Sequence, residues 1–490
     1  MSGKRAQGLR LKALEGTVLG PIAEAALRRA ESLPAVTDET VAAAMAAPRG
    51  ASGLREALSR PGRRFILEVK AASPSLGVIR SDIDLEACAR AYARHADAVS
   101  VLTEPTAFGG SFGCLARMRA LTTLPILAKD VTVDERQILA AGADAVLLML
   151  SVLEPAACRR LAAFAKRLGL DVITEASGEA EVLEAAVSGA EIIGINHRNL
   201  RDLTIDLDRS ARLAHLVPGD RILVAESGIR THADVERVAR ATRVFLVGSV
   251  LNQTDDVSLA VRRLVFGEMK VCGITRADDA ARAALEGFSA AGVVLAKRSP
   301  KAVTPEALVV LSNEIKERTK ALGLTMPVTA VVDAGETDVL RAIASPAAAG
   351  AFTTLQVHGD VTDADLEGLR VLFPGKALHL AAALPEDPVE LAEAARRLEG
   401  LLERGLADRI VVDGTSGGLT GGSGRTVPQA RLAAFGDLSR IRLAGRLTPE
   451  NARAAAAAGA AGLDANSGVE SAPGLKDPRL LALFAGAVRG

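Results

Sequence analysis

The sequence predicts an α/β protein made of two consecutive (β/α)8 barrels of the TIM type, the first preceded by a helical extension. Short apolar runs alternate with helical segments eight times between residues 65 and 249, and the alternation restarts near Lys270. Such alternation favours a parallel sheet with right-handed crossovers, and roughly 200 residues per eight units fit one closed barrel. A doubly wound open sheet is the competing fold, but no glycine-rich dinucleotide turn follows the first strand.

Composition excludes several classes of protein. The chain of 490 residues carries 59 Lys plus Arg and 59 Asp plus Glu, with one Tyr and no Trp. A zero net charge and few stacking side chains argue against a nucleic-acid partner. No run of about 18 apolar residues predicts a membrane span, and no signal-peptide core is present. The four cysteines lack disulfide or zinc-ligand spacing. We therefore expect a cytoplasmic protein without a bound metal.

The first domain, predicted as residues 1–268, begins with two or three amphipathic helices between about residues 22 and 60. Its first strand holds an almost continuous apolar run, as parallel sheets require. The predicted strands are 65–73, 98–104, 125–130, 145–151, 171–176, 191–196, 221–227 and 244–249.

The second domain, predicted as residues 269–490, repeats the pattern with little linker before it. Its predicted strands are 270–274, 292–295, 328–333, 353–358, 377–383, 409–413, 441–444 and 461–465. Each domain places glycine-bearing loops after its last two strands, where barrels of this type bind a substrate phosphate. The two copies together favour a phosphate ligand in each domain.

Charged residues at the carboxyl ends of the first-domain strands predict an active site, because catalytic groups of this fold gather at that rim. Glu68 and Lys70 share one face of the first strand, and an edge-strand ion pair is the alternative explanation for them. The other rim residues are Lys129, Glu175, Asn196, Arg198, Glu226 and Ser227. Lysines and carboxylates in one closed site can supply a general acid and a general base. We expect Lys129 or Glu175 to face Glu68 across the mouth.

Several motifs of this half together resemble indole-3-glycerol-phosphate synthase over roughly residues 50–265. They are Glu-x-Lys-x-x-Ser-Pro-Ser, Ser-Val-Leu-Thr-Glu with Phe-Gly-Gly-Ser-Phe, Lys-Asp, Thr-Glu-Ala-Ser, Gly-Ile-Asn-His-Arg-Asn-Leu and Glu-Ser-Gly-Ile. The resemblance implies closure of the indole ring with loss of CO₂ and water, and it implies no cofactor.

The same resemblance implies roles for single residues. Lys129 is the general acid, Glu175 accepts or donates a proton at dehydration, and Lys70 holds the substrate carboxylate or assists as an acid. Glu68 and Asn196 orient the reacting groups. The remaining implied substrate contacts are Ser73, Phe108, Arg198, Glu226 and Ser227, and the implied phosphate contacts include Ser227, Gly228, Gly248 and Ser249. The chain departs from the family at Val131, Leu76 and His197, none of which removes a proposed catalytic group.

The second half resembles phosphoribosylanthranilate isomerase over roughly residues 269–490, through Lys-Val-Cys-Gly-Ile-Thr, Leu-Gln-Val-His-Gly-Asp, Asp-Gly with Gly-Gly-Ser-Gly, and Leu-Asp-Ala-Asn-Ser-Gly-Val-Glu. A lone buried cysteine is usually an apolar filler. The resemblance instead implies Cys272 as general base and Asp413 as general acid of an Amadori rearrangement. It implies further substrate-binding residues Arg298, Lys301 and His358, and phosphate-binding residues Gly445, Asn466 and Ser467.

Two departures concern this second site. Lys301 stands where the family has an arginine, which replaces a planar fork by a point charge, and Arg446 replaces a glycine of the phosphate loop. The sequence thus predicts a bifunctional enzyme of tryptophan biosynthesis acting on small anionic phosphosugar–anthranilate substrates, as a monomer or small homo-oligomer. The alternatives are a catalytic first barrel with a stabilising or regulatory second barrel, and a phosphosugar-binding protein without catalysis.

Overall fold

A computed structural model describes residues 8–199, 202–413 and 429–490. Contacts divide the described chain into two compact units. The first holds the residues up to Arg230 and Asp234–Val261, and the second holds Thr231–Ala233 and Arg262–Gly490. The sequence prediction placed the division between 268 and 269, at the start of the second set of strands.

Among the described residues, eight parallel strands form the first closed barrel, with each strand paired to its neighbours in the chain and the last paired to the first. The strands are β1 (Arg64–Val69), β2 (Ala98–Leu102), β3 (Ile126–Lys129), β4 (Ala145–Met149), β5 (Asp171–Ala176), β6 (Ile192–Asn196), β7 (Ile222–Glu226) and β8 (Val244–Val247). They are apolar and buried along nearly their whole length, because the barrel interior and the outer helices cover both faces.

Helices precede and separate these strands. Their bounds are Leu11–Leu14, Leu19–Ser32, Asp38–Ala46, Leu54–Ser59, Leu85–His95, Pro105–Phe108, Phe112–Leu121, Glu135–Ala141, Pro155–Arg167, Glu179–Val187, Arg209–Leu213, His232–Val238, Ser249–Asn252 and Val257–Phe266. The predicted helical extension is therefore present. Its Leu19–Ser32 helix buries one apolar face, whereas Asp38–Ala46 buries no side chain and is not amphipathic.

Eight more strands in the described part of the chain close the second barrel in the same parallel order. They are β9 (Glu268–Cys272), β10 (Ala290–Val294), β11 (Val328–Asp333), β12 (Thr354–His358), β13 (Ala377–Ala383), β14 (Arg409–Asp413), β15 (Ile441–Ala444) and β16 (Gly462–Ala465). The helices are Ala277–Glu286, Pro305–Ala321, Thr337–Ile343, Pro346–Gly350, Asp363–Leu372, Pro388–Glu403, Gln429–Leu432, Pro449–Ala457 and Pro478–Arg489. Both predicted barrels are confirmed, and the open sheet is excluded.

The first strand ends earlier than predicted. β1 stops at Val69, and Ala72–Ser73 instead pairs with Gly77–Val78 in a small antiparallel hairpin at the barrel mouth. β1 also pairs with both β8 and β2, so it is not an edge strand. In the described ranges, no helix is both long enough and apolar enough to cross a membrane.

Candidate active sites

The carboxyl ends of the first-barrel strands enclose a cavity of about 370 Å³. That volume lies within the usual range for a small-molecule site. The structure brings together in its lining the predicted residues Glu68, Lys70, Ser73, Phe108, Lys129, Glu175, Asn196, Arg198, Ser227, Gly228, Gly248 and Ser249. Glu226, at the end of β7, contacts the cavity lysine Lys129 directly.

Lys129 is the centre of the charged groups in this cavity. Its Nζ lies 2.5 Å from Oε2 of Glu226 and 3.8 Å from Oε2 of Glu68. Burial acts to lower the pKa of Lys129, but the carboxylates of Glu226, Glu68 and Glu175 outweigh it and raise that pKa above its ordinary value. The ammonium group therefore stays protonated at neutral pH.

Glu68 joins the two lysines of the rim. Lys70 Nζ lies 2.8 Å from its Oε1, and Lys129 is on the side of Oε2, as the sequence led us to expect. Burial alone would raise the pKa of Glu68; the cations of Lys70 and Lys129 reverse this and hold the pKa below its ordinary value. Glu68 is therefore an anion that fixes two cations over the cavity.

Glu175 has the opposite protonation state. It is buried, and the Nδ2 of Asn196 donates to its Oε1 over 3.1 Å. Burial, together with the nearby carboxylate of Glu226, raises the pKa of Glu175 to about 8, against the opposing effect of Lys129. At neutral pH the site thus holds a protonated carboxylic acid beside an ammonium cation, two groups able to donate protons.

The predicted phosphate loops follow β7 and β8, and their residues line the same cavity. Ser227 and Gly228 both have positive φ, +68° and +82°. A Cβ on Gly228 would lie 2.5 Å from Ile205 Cγ2, and one on Gly248 would lie 2.3 Å from Glu68 Oε1. The close approach of the Glu68 carboxylate thus requires a glycine at position 248. The short Ser249–Asn252 helix follows it.

His197 holds the Ser227 loop in place through a hydrogen bond to its backbone. It is fully buried, its Nδ1 lies 3.0 Å from the carbonyl oxygen of Ser227, and its Nε2 lies 2.6 Å from Ser210 Oγ. Burial lowers the pKa of His197, so the ring is neutral at pH 7. Nδ1–H then donates to the Ser227 carbonyl and Nε2 accepts from the Ser210 hydroxyl. His197 has a structural role here and is not a base.

One wall of the cavity was not predicted from the sequence. Val18, Leu19 and Ile22 line it from the N-terminal helical extension. Arg29 of the same extension bonds to Asp130, the residue after Lys129. The amphipathic pattern of residues 19–32 was the available signal, but it does not say which cavity the apolar face covers.

In the second barrel, Cys272 is buried at the end of β9. Two residues earlier, Lys270 Nζ lies 2.5 Å from Asp464 Oδ2 and donates to Gln356 Oε1 over 2.9 Å. Burial raises the pKa of the Cys272 thiol, and the nearby Lys270 cation opposes that rise. The resting cysteine is therefore a thiol whose ionisation the lysine favours. Sequence reasoning overlooked both Lys270 and Asp464.

His358 and Asp413 end β12 and β14, the two strands that pair with β13 on either side. Asp413 is the last residue of β14, while the predicted loop residues 415–425 lie outside the described part of the chain. His358, the last residue of β12, has its Nε2 3.0 Å from Gln356 Nε2. Burial and the Lys270 cation lower the pKa of His358 to about 4, so this ring is neutral.

The predicted carboxylate-binding cations already have acidic or polar partners. Lys301 Nζ lies 2.8 Å from Glu470 Oε2 and 2.7 Å from Asn466 Oδ1. Arg298, half exposed, lies 2.6 Å from Asp333 Oδ2. The Asn466 side chain, predicted to contact phosphate, therefore presents its oxygen to a lysine.

The second phosphate loop has the same backbone character as the first. Gly445 and Arg446 have φ of +90° and +40°. Ser467 begins a short 3-10 helix over Ser467–Val469. Within the described ranges, no group of three or more His, Cys, Asp or Glu side chains is arranged to hold a metal ion.

Comparison with known proteins covers both barrels. The family described as indole-3-glycerol phosphate synthase matches residues 23–264, and the family described as N-(5'phosphoribosyl)anthranilate (PRA) isomerase matches residues 269–487. The chain is 40% identical to "Tryptophan biosynthesis protein TrpCF" of Vibrio cholerae over 434 residues, 87% of this chain and 86% of that protein. Identity is 39% to the proteins so named from Yersinia pestis, over 87% of this chain and 84% of that protein, and Corynebacterium glutamicum, over 87% of each.

Two closed (β/α)8 barrels, the first with an acid–base rim around a cavity, define an enzyme with two catalytic domains. The chain belongs to the family that joins an indole-3-glycerol phosphate synthase to a phosphoribosylanthranilate isomerase, and it has both activities in tryptophan biosynthesis. A non-catalytic binding protein is thereby excluded.

Proposed function

We propose that Lys129 and Glu175 are the proton-transfer pair of the first barrel. The observation that supports this most is that the two groups differ in charge within one cavity. Lys129 stays a cation at neutral pH, whereas Glu175, with a pKa of about 8, is a neutral carboxylic acid. Lys129 protonates the substrate carbonyl, which makes its carbon electrophilic toward the ring. Glu175 can donate its proton as the hydroxyl leaves at dehydration and take one up in the next turnover.

Substrate placement follows from the charges around this pair. Lys70, held by Glu68, is placed to receive the anthranilate carboxylate, with Arg198 and Ser73 beside it. Phe108 and the Leu19–Ser32 helix give apolar cover to the aromatic ring. The phosphate is bound by the loops after β7 and β8, through Ser227, Gly228, Gly248 and Ser249. The assignment of the first proton to Lys129 rather than Lys70 is tested by the pH dependence of kcat in a variant of each lysine.

In the second barrel, we assign the general base to Cys272 and the general acid to Asp413 for the Amadori rearrangement of N-(5-phosphoribosyl)anthranilate. The Lys270 cation lowers the cost of forming the thiolate in a buried site. The ketone product is the substrate of the first barrel. Arg298, Lys301 and His358 are assigned to the carboxylate side, and Gly445, Asn466 and Ser467 to the phosphate side.

The same proposal covers the setting of the enzyme. Its substrates are small phosphosugar–anthranilate anions, and neither a cofactor nor a nucleic acid takes part. We place it in the cytoplasm as a monomer or small homo-oligomer, in two domains, 1–268 and 269–490. A balanced charge of 59 against 59 and a soluble-type composition support that setting.

A crossed pair of variants tests the catalytic assignments. Lys129→Ala is expected to lower the synthase kcat by about 10³-fold or more and leave the isomerase rate unchanged, because an essential proton donor is removed from one barrel. Cys272→Ser should show the reverse pattern. Initial rates of each reaction, measured separately on the full chain, give the result.

Lys166→Ala serves as the control, since Lys166 is half exposed, pairs with Glu191 and is not among the residues that line the first-barrel cavity. Near-normal synthase turnover in Lys129→Ala, or near-normal isomerase turnover in Cys272→Ser, contradicts the assignment for that barrel. Loss of both activities in one variant would instead indicate misfolding, which circular dichroism detects.

A further inference from the structure

The amino end of the second barrel contains two guanidinium groups facing one carboxylate. Glu268 begins β9, Arg409 begins β14, and Arg442 lies at the second position of β15. Arg409 Nη2 lies 2.9 Å and Arg442 Nη2 3.0 Å from Oε2 of Glu268. Cys272 and Asp413 end β9 and β14 at the opposite, carboxyl end of the barrel. Glu268, Arg409 and Arg442 therefore have no part in the chemistry described above.

A glycine on the intervening strand allows this contact. Gly462 of β16 is level with both Glu268 and Arg442 in the strand register. A Cβ at Gly462 would lie 2.2 Å from the carbonyl oxygen of Glu268. Because β16 contributes no side chain at this level, the arginine and the glutamate meet across it.

Each guanidinium uses its Nη2 on Glu268, and four buried nitrogen atoms remain unused. Among the described residues, no acceptor reaches the Nη1 of Arg409, the Nη1 and Nε of Arg442, or the Nδ1 of His379. The Arg442 side chain is only 4% exposed, and His379 is the register partner of Arg409. Buried donors are normally paired, so this group of nitrogens needs an acceptor.

The group also carries more positive than negative charge, because two arginines face one carboxylate. Burial and the neighbouring Arg442 lower the pKa of Arg409 to about 10, which still leaves it protonated at neutral pH against the single carboxylate of Glu268. Burial and the two arginines lower the pKa of His379 to about 2, so His379 is neutral and can present an N–H. An uncompensated buried cation is unfavourable unless an anion accompanies it.

We propose that Arg409, Arg442 and His379, here named the arginine cluster, bind a phosphate-type oxyanion at the amino end of the second barrel. Guanidinium groups present forked N–H donors that match the several oxygens of a tetrahedral oxyanion. The edge of the cluster borders solvent, since the Arg409 side chain is 15% exposed and its partner Glu268 is 28% exposed. The ligand is either free inorganic phosphate or a phosphate monoester.

Equilibrium dialysis of the full chain against radiolabelled inorganic phosphate, at constant ionic strength, tests this site. The catalytic loops of both barrels bind phosphate too, so the informative quantity is a difference between variants. Arg442→Met is expected to remove one bound phosphate per chain, or to weaken one class of site at least tenfold, and to leave the others. Arg318→Met is the matched control, because it removes one exposed cation from the same barrel.

Competition then distinguishes the two sources. Displacement of the Arg442-dependent phosphate by sulfate and by glycerol phosphate indicates a site open to monoesters, and displacement by sulfate alone indicates a site for the free ion. Arg409→Met is the second variant if Arg442→Met loses its circular dichroism or its isomerase activity. Equal phosphate binding by wild type and the folded variants, or displacement by chloride as effective as by sulfate, overturns the proposal.

Discussion

The two barrels place their buried charges at different depths. In the first, Lys129 and Glu226 are the last residues of their strands, and Glu68 and Glu175 stand one position before the end. In the second, the fully buried Lys270 is the third of five residues of its strand. Its partner Asp464 stands one position before the end of β16, whereas Arg409 and Arg442 lie at the amino ends of β14 and β15.

This difference separates two uses of ionic groups in one fold. The rim of the first barrel lines a cavity, and its cations Lys70 and Lys129 keep 13% and 16% of their side chains exposed, so water shares the cost of keeping these lysines ionised. The Lys270–Asp464 pair is closed from solvent and relies on its own contacts, with Gln356 as the third member. Both members of the pair act on the thiol of Cys272: the Lys270 cation lowers its pKa and the Asp464 carboxylate raises it. The same substitution, lysine to methionine, should therefore lower the free energy of unfolding by different amounts in the two barrels.

The largest expected effect comes from breaking the deep pair. Lys270→Met is expected to lower the free energy of unfolding by about 4 kcal/mol, because Asp464 is left charged and buried without its cation. Lys129→Met, at the solvent-facing rim, should cost well under half of that. Urea unfolding of the full chain, followed by circular dichroism, measures the loss of unfolding free energy in each variant.

Adding Asp464→Leu to Lys270→Met provides the check on cause. The double variant should recover most of the lost stability, since no unpaired charge remains. If the double variant is as unstable as the single one, or if Lys129→Met and Lys270→Met cost the same, depth does not decide the energetics.

A smaller effect distinguishes the two barrels by pH. The pKa of Glu175 is raised from its ordinary 4.5 to about 8, so its contribution to stability is complete below pH 4.5 and is lost as the pH rises toward 8. Relative to Glu175→Gln, the wild type should lose roughly 2 to 3 kcal/mol of unfolding free energy between pH 5 and 7. Thermal melts of both proteins across that range measure the difference.

Glu268 gives the opposite sign in the second barrel. Burial opposes its ionisation, but Arg409 and Arg442 hold its pKa below the ordinary value, so its contribution is present at neutral pH and is lost on acidification. Glu268→Gln should therefore approach the wild type in stability as the pH falls below about 4.5. A parallel pH response of the two variants would contradict these protonation states.

The sequence predicted the barrels and the first rim because both depend on local pattern. Apolar runs locate strands, and the carboxyl ends of parallel strands meet, so Glu68, Lys129 and Glu175 could be placed together without coordinates. Lys270 and Asp464 are separated by 194 positions, and their pairing depends on how the sheet closes. The ion pair of Lys301 with Glu470 depends likewise on the short hairpin of Glu470–Ala472 and Leu475–Lys476, which follows the last barrel strand. Such contacts follow from register and barrel geometry, which periodicity does not supply.

The smallest predicted effect concerns the two phosphate loops. Each holds a non-glycine residue at positive φ, Ser227 at +68° and Arg446 at +40°, and each carbonyl there accepts one side-chain bond. His197 bonds to Ser227, and Asn451 Nδ2 donates to Arg446 over 2.9 Å.

Because each of these bonds only positions its loop, His197→Ala should raise the synthase KM about five- to tenfold with little change in kcat. Asn451→Ala should do the same to the isomerase alone, and His197→Asn should retain part of the effect of the native ring. Steady-state kinetics of both reactions on each variant decides; a fall in kcat at unchanged KM would mean that His197 acts on the reacting groups rather than on the loop.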